Sequence, residues 1–310
     1  MQQAWAEKIP AVTVLWLSEP DYSQHGSGPG SAVSQSAWKS SDDVLAKVRA
    51  ALVEKKVADK TNLLVVSDHG FSTISRTVDV VDELKAVGID AAKEFTQEPT
   101  PGKVMVVGLG GSTSFYVVGK EARVIQKLVD ELQKSDWAGV IFTREGLEGT
   151  FKMSDAGVDA EGGPDVLVAM RWKDEPWAGR LPGTIVSDDT TKTKGQGMHG
   201  SLSRFDMHNT LIASGPDFKT GMVDELPTGS CDVTPTILHL LGIEPAGPLD
   251  GRMLHEALAR GKETKTEPVT RILEARREID GKLWRQHLKF TQFGTARYYD
   301  EGNAGAAVRP

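Results

Sequence analysis

The sequence has little of what several classes of protein require. It contains a single cysteine, Cys231, which excludes an intrachain disulfide framework and gives no information on the redox compartment. No stretch approaches the roughly 20 apolar residues of a membrane span. The first ten residues lack a basic segment followed by a long apolar region, so no signal peptide is predicted in this chain. Basic residues number 36 against 43 acidic ones, a net charge of −7, which argues against a nucleic-acid surface.

The chain does have enough apolar residues for a sizeable core. Its 310 residues are 39% hydrophobic and 25% charged, a composition typical of globular proteins with one large domain or a domain with an insertion. An anionic substrate would need a local positive site in so acidic a protein, and bound metal ions are one way to supply it.

Two apolar runs, residues 11–17 and 62–66, predict buried strands, and the helical spacing of apolar residues between them predicts a right-handed strand, helix, strand unit. Ligands bind outside the carboxyl ends of parallel strands, so polar residues at these two strand ends are placed for chemistry. These residues are Asp21 and His25 after the first strand, and Asp68 and His69 after the second.

A further candidate, His199, lies between glycines in the segment 197–200, where the backbone can approach another group closely. Aspartate and histidine together suit zinc or manganese. A two-metal site for phosphoryl or sulfuryl transfer needs such ligands around ions roughly 3.5–4 Å apart. One half of such a site could be Asp21, His25 and His199, and part of the other half Asp68 and His69.

Each candidate also has an ordinary structural interpretation. Asp21 follows Pro20 and could cap the next turn. His25 could be solvated in a loop rich in serine and glycine, and His199 could belong to a flexible surface loop. A strand that ends in Asp-His-Gly is more often a turn than a ligand pair. The residues alone leave these alternatives open.

The remaining pattern predicts how the chain is divided. Residues 1–260 are expected to form one α/β domain, with an insertion at about residues 73–194 that covers or flanks the site. Residues 261–310 are expected to form a charged extension, with a late hairpin at 288–299 and a frayed tail over the last ten residues.

The candidate residues fall in an ordered set of segments: 19–29 (EPDYSQHGSGP), 67–71 (SDHGF), 197–200 (GMHG), 209–216 (NTLIASGP), 232–243 (DVTPTILHLLGI) and 249–252 (LDGR). Taken together, these segments resemble the alkaline phosphatase superfamily, and most closely its type I phosphodiesterase/nucleotide pyrophosphatase branch. The resemblance covers about residues 1–258, and the ordered set is far more specific than any one segment.

This resemblance implies an α/β fold with a doubly wound, mostly parallel sheet, helices on both faces and an inserted cap region. It also implies metal-dependent hydrolysis of phosphoric esters, with a small-molecule phosphate ester or nucleotide as substrate. Two divalent ions are expected, zinc in the first place and manganese as the alternative. By position, Asp21, His25 and His199 match the ligands of one zinc, and Asp68 and His69 match two ligands of the other.

The chain departs from the family pattern at its start. In the family, a strand ending in an aspartate that ligates the second metal, and then a nucleophilic Thr or Ser, precede the segment that matches 19–29. Only eighteen residues precede it here, and they contain no Asp. The resemblance therefore predicts an N-terminally incomplete domain with an exposed sheet edge, a half-built second metal site and no nucleophile in this chain. Cys231 does not replace the nucleophile, since the sulfatase motif Cys-x-Pro-x-Arg is absent.

Two other functions remain open from the sequence. One is a different superfamily hydrolase, such as a phosphonate hydrolase or a phosphoglycerate-mutase-like enzyme. The other is a non-catalytic metal-binding protein that keeps the fold without the chemistry. Full-length relatives are often exported, but neither the compartment nor the oligomeric state of this chain is predicted.

Overall fold

The computed structural model of the chain describes residues 5–262 and 266–305. The α-helices within these ranges are α1 Asp21–Ser27, α2 Ala32–Glu54, α3 Val80–Ala86, α4 Ala122–Lys134, α5 Arg204–Met207 and α6 Val233–Leu241. The strands are β1 Leu63–Val66, β2 Ser72–Thr77, β3 Ala91–Ala92, β4 Val104–Gly108, β5 Ser112–Val117, β6 Ala138–Thr143, β7 Phe151–Lys152, β8 Val166–Met170, β9 Trp172–Pro176, β10 Pro182–Ser187, β11 Gly197–Met198, β12 Leu211–Ser214, β13 Val269–Ile279, β14 Lys282–Phe293 and β15 Ala296–Ala304. None of the described helices has the length and apolar character needed to cross a membrane.

The described strands pair into four sheets, with the orders β1-β12, β11-β2-β10-β9, β3-β4-β5-β8-β6-β7 and β13-β14-β15. The predicted α/β class is confirmed. The arrangement differs from the single, mostly parallel, doubly wound sheet that the resemblance implies, because the pairs β2–β10, β3–β4 and β6–β7 are parallel while the other described pairs are antiparallel. Short connections, such as that between β4 and β5, reverse the chain within a few residues and permit only antiparallel pairing.

The strand predicted at residues 11–17 is not formed. Its apolar side chains are exposed, Val14 by 85% and Trp16 by 75%. A strand needs a hydrogen-bonded neighbour, and the expected neighbour, β1, pairs instead with β12 in the described part of the chain. The predicted strand, helix, strand unit is therefore wrong, although β1 lies where the sequence predicts it and its other edge is unpaired among the described residues.

The largest core cluster lies between the six-stranded sheet and the helices α3 and α4. Helix α4 is amphipathic, and Leu128 and Leu132 on its apolar face are fully buried. Strand β6 is buried along its whole length. These elements lie within the predicted insertion, about residues 73–194, so this segment contains the most deeply packed part of the described chain. Its status as an insertion stays a prediction.

The sheet β13-β14-β15 packs on the six-stranded sheet. The side chain of Gln286 accepts a hydrogen bond from the Ile141 N–H at 2.8 Å and donates one to the Ile141 carbonyl at 3.0 Å. The predicted hairpin lies within β14 and β15. Part of the predicted frayed tail instead completes β15, because Gly302 donates to the Leu202 carbonyl and accepts from Trp172 Nε1, each at 2.8 Å. Residues 306–310 lie outside the described ranges.

Candidate metal centre

Helix α1 places Asp21 and His25 on one face. The two residues are four positions apart, which makes them neighbours on a helix surface, and His25 Nε2 lies 3.7 Å from Asp21 Oδ2. The helix begins here because the Glu19 carboxylate accepts hydrogen bonds from Ser23 N at 3.0 Å and Ser23 Oγ at 2.9 Å. The segment has the composition of a loop, and Glu19 and Ser23 were the polar signal for a helix start at this position.

The antiparallel pairing of β11 with β2 brings the other histidines to this helix. Met198 pairs with Ser72, so the loop before β2, which carries His69, lies beside the loop after β11, which carries His199. The two imidazole rings stack, with centroids 3.5 Å apart and an interplanar angle of 14°. His25 reaches the same strand, since its Nδ1 lies 3.2 Å from the Gly197 carbonyl oxygen. If Nδ1 carries the proton, Nε2 is left as an unprotonated nitrogen facing the cluster.

The nitrogens converge on Asp21. His25 Nε2 and His199 Nε2 are 3.2 Å apart, and His199 Nε2 and His69 Nε2 each lie 3.8 Å from Asp21 Oδ1. The possible ligand atoms of Asp21, His25 and His199 all lie within 4.8 Å of one another. Asp21 Oδ1 is buried, and no group in the described part of the chain donates a hydrogen bond to it. A buried carboxylate oxygen without a donor is costly, and a cation at this position would satisfy it.

The five predicted site residues therefore meet at one place. Asp68 is the outermost, with a side chain 59% exposed and Oδ1 lying 3.7 Å from His69 Nε2. These distances do not separate the five residues into two metal sites, because His69 lies close to both Asp21 and Asp68. Whether each residue ligates a metal, and whether the chain lacks a nucleophilic Thr or Ser, stay predictions.

Burial favours the uncharged form of His199. Desolvation, followed by the nearby His69 and His25, lowers its pKa from 6.5 to about 4. The ring is therefore neutral at pH 7, which is the form that can donate a nitrogen lone pair to a metal.

Phe71 covers one side of the three rings. Its ring centroid lies 5.0 Å from that of His25, 5.1 Å from that of His199 and 5.6 Å from that of His69. Phe71 lies in the segment 67–71, and the sequence predicted no role for it. Its aromatic ring directly after the Asp-His-Gly turn was the available signal.

Asp206 lies behind the histidines and was also missed. Its carboxylate is buried, with the residue 3% exposed, and accepts hydrogen bonds from Ser72 and Ser201. Burial raises its pKa from 3.8 to about 6. No local sequence pattern links Asp206 to residues that lie more than 130 positions away, so only the folded structure shows this contact.

A family model described as type I phosphodiesterase / nucleotide pyrophosphatase matches residues 1–202 of the chain. Among curated relatives, human ectonucleotide pyrophosphatase/phosphodiesterase family member 7 is 25% identical over 246 residues, covering 78% of this chain and 48% of the relative. Mouse bis(5'-adenosyl)-triphosphatase enpp4 is 24% identical over 251 residues, covering 79% and 47%. The chain thus spans about half the length of the curated relatives it matches.

Among solved structures, murine ectonucleotide pyrophosphatase/phosphodiesterase 5 aligns with a TM-score of 0.57 at 18% identity, covering 78% of this chain and 57% of that one. An inactive variant of the same murine protein in complex with AMP aligns equally well, with a TM-score of 0.57. At this identity the likeness is one of fold.

Proposed function

This chain belongs to the type I phosphodiesterase/nucleotide pyrophosphatase family, and we propose that Asp21, His25 and His199 hold a divalent metal ion used in the hydrolysis of phosphoric esters. The observation that carries the proposal is the buried Asp21 Oδ1, which lacks a hydrogen-bond donor among the described residues and faces imidazole nitrogens. One carboxylate and two imidazoles are a ligand set that suits zinc and leaves a coordination position open, with manganese as the alternative.

The local charge agrees with an anionic substrate only when a cation is present. With neutral imidazoles, the Asp21, His25 and His199 trio carries a single negative charge, in a protein of net charge −7. A divalent ion would reverse the sign of this trio and attract a phosphate group. When bound, such an ion would polarise a phosphoryl oxygen and lower the pKa of a bound water.

The chain's own residues prepare this position. The contact of His25 Nδ1 with the Gly197 carbonyl orients the ring so that Nε2 faces Asp21. Phe71 packs against the rings and limits the access of water from that side. His199 is held in its neutral form by burial and its histidine neighbours.

We extend the proposal to a second metal position served by Asp68 and His69. Their side chains adjoin the first trio, and the exposure of Asp68 leaves room for a further ligand that the 310 residues do not supply by motif. No Thr or Ser matches the family's nucleophile either, so we expect the chain by itself to hydrolyse phosphoric esters only slowly.

The substrate class we propose is a phosphodiester or a pyrophosphate bond of a nucleotide. Support comes from the relatives, one named a bis(5'-adenosyl)-triphosphatase and the others ectonucleotide pyrophosphatase/phosphodiesterases, and from the neighbouring structure in complex with AMP. A non-catalytic metal-binding protein is the second candidate, and the lack of a motif-matched nucleophile is what favours it.

Hydrolysis of an aryl phosphodiester tests this proposal. The protein is stripped with a chelator, reloaded with zinc or manganese, and assayed with bis(4-nitrophenyl) phosphate, a phosphate monoester and a phosphonate ester. We expect slow turnover of the diester only after reloading, and none in His199→Ala. His208→Ala is the matched control, because this histidine is exposed and pairs with Asp300 rather than with the cluster.

Each other outcome has a definite meaning. Hydrolysis without metal, or an unchanged rate in His199→Ala, would overturn the proposed role of the trio. Preference for the phosphonate ester would favour the alternative superfamily hydrolase. Full metal loading without any hydrolysis would favour the non-catalytic metal-binding protein.

A further inference from the structure

One buried carboxylate connects the two loops that carry His69 and His199. Asp206 lies in the short helix α5, behind the cluster. Its Oδ1 accepts a hydrogen bond from Ser72 Oγ at 2.5 Å, and Ser72 lies three positions after His69. Its Oδ2 accepts hydrogen bonds from Ser201 Oγ at 2.6 Å and Ser201 N at 3.0 Å, and Ser201 lies two positions after His199.

The backbone of Asp206 adds a third connection. Its carbonyl oxygen accepts a hydrogen bond from Gly70 N at 2.7 Å, directly after His69. There is no space for a side chain at Gly70, because an added Cβ would lie 2.1 Å from the Phe205 carbonyl oxygen. The His69 loop is therefore pressed against helix α5 and held there by both the backbone and the side chain of Asp206.

Ser203 completes a closed polar cluster. It caps α5 by accepting a hydrogen bond from Phe205 N at 3.2 Å, and its own N–H donates to Ser201 Oγ at 3.0 Å. Ser203 Oγ also lies 3.3 Å from Ser72 Oγ. Because each hydroxyl in this cluster has a partner with a fixed position, the loops have little freedom to shift relative to one another.

The hydrogen bonds around Asp206 fix the positions of the two histidine loops, which apolar burial at the metal-ligand candidates does not do. The β2–β11 pairing spans only two residue pairs, and the ligand-bearing loops extend beyond it. Metal ligands generally need partners that fix their orientation, and the loss of such a partner typically weakens metal binding by about 10–100-fold.

We propose that Asp206 is a positioning residue for the metal centre, because its carboxylate and carbonyl hold the His69 and His199 loops at the spacing that lets both imidazoles face Asp21. This inference rests on the proposed function. Asp206 itself stays out of contact with the metal and the substrate, so it acts only through the two loops.

Zinc affinity measured on the full chain tests this role. Competition with a chromophoric chelator gives the dissociation constant for wild type, Asp206→Ala and Asp206→Asn. We expect Asp206→Ala to weaken zinc binding by about tenfold or more. Asp206→Asn should stay close to wild type, because the amide oxygen can accept from Ser201 while the amide nitrogen donates to Ser72 Oγ.

Asp165→Ala is the matched control. Asp165 is also a buried carboxylate, and it accepts a hydrogen bond from Val117 N at 2.7 Å, but it serves the six-stranded sheet rather than the histidine loops. Its loss should lower the free energy of unfolding and leave zinc affinity unchanged. All affinities are measured at a temperature at which circular dichroism shows the variant folded.

A milder variant covers the case in which Asp206→Ala does not fold. Ser201→Ala removes one hydroxyl donor and keeps the carboxylate, and it should weaken zinc binding severalfold. Wild-type affinity in Asp206→Ala, or in Ser201→Ala if the former is unfolded, would overturn the positioning role, as would an equal loss of affinity in Asp165→Ala. A folded wild type that binds neither zinc nor manganese would overturn the proposed function itself, which is a distinguishable result.

Discussion

The six-stranded sheet and the region of the metal-ligand candidates are packed very differently. Strand β6 is buried from end to end, and Ile141 in it is 0% exposed. Strand β1, which leads into Asp68 and His69, is only half-buried, and its partner β12 exposes Ile212 by 59%. The apolar side chains within residues 11–17, shortly before α1, are exposed as well.

This difference separates two sources of order. Burial of apolar surface stabilises the six-stranded sheet, which contributes to the largest buried core of the described residues. The candidate metal centre depends instead on a few hydrogen bonds. These are the pairing of β11 with β2, the contact of His25 with Gly197 and the bonds around Asp206. Stability and metal binding should accordingly respond to different substitutions.

The largest expected effect compares two isoleucines. Ile141→Ala should lower the free energy of unfolding by about 2–5 kcal/mol, because it leaves a cavity in a closed core. Ile212→Ala, the same change at an exposed strand position, should cost less than about 1 kcal/mol. Urea denaturation measures both. Similar losses in the two variants would show that the two regions are not packed as differently as described.

The next prediction concerns pH and the Asp206 carboxylate. Its pKa is raised to about 6 by burial, so the folded state takes up a proton at a higher pH than the unfolded state does. Stability therefore falls as the pH rises from about 4 to about 6. Relative to Asp206→Asn, metal-free wild type should lose up to about 3 kcal/mol over this window.

Urea denaturation at a series of pH values, with a chelator present, measures this difference. Curves that stay parallel for wild type and Asp206→Asn would contradict the assigned burial of the carboxylate. A difference with the opposite sign would mean that the folded state favours the ionised form.

Zinc should stabilise the chain through the metal centre alone. At a zinc concentration about 100 times the dissociation constant, the free energy of unfolding should rise by about 2.7 kcal/mol. Ile141→Ala should keep this gain although its baseline is lower, whereas His25→Ala should lose it. Thermal or urea unfolding with and without zinc measures the gain. If Ile141→Ala lost the zinc-dependent increase in the free energy of unfolding, metal binding would depend on the packing of the six-stranded sheet, which would contradict this separation.

The smallest effect is expected at a helix cap on the exposed side. Ser31 Oγ accepts a hydrogen bond from Ser34 N at 3.1 Å at the start of α2. Ser31→Ala should cost about 1 kcal/mol of local helix stability. Amide hydrogen exchange should report faster opening of the first turn of α2, with little change in the six-stranded sheet. Uniformly faster exchange throughout the chain would contradict this separation.

The sequence predicted best the elements whose pattern is local. Strand β1 is a short apolar run followed by turn residues and lies at its predicted position, and the predicted hairpin at 288–299 lies within β14 and β15. The family resemblance is confirmed, because it depends on the order of short segments and not on how they pack.

The predictions that failed depend on distant partners. Residues 11–17 have the composition of a strand but no neighbouring strand among the described residues, and composition cannot supply one. Helix α1 begins where the Glu19 carboxylate accepts hydrogen bonds from Ser23, in a segment that otherwise has the composition of a loop. The convergence of Asp21 with His199 was predicted from the residue types and matched by the resemblance, whereas no motif links Asp206 to Ser72, far before it in the sequence.

The zinc content of the purified chain, with and without His199, tests most directly whether Asp21, His25 and His199 form a metal centre. Elemental analysis should find about one zinc ion per folded chain in wild type and in His208→Ala, and close to none in His199→Ala. Folded wild-type protein without bound metal, or full zinc content in His199→Ala, would contradict the assignment of this site.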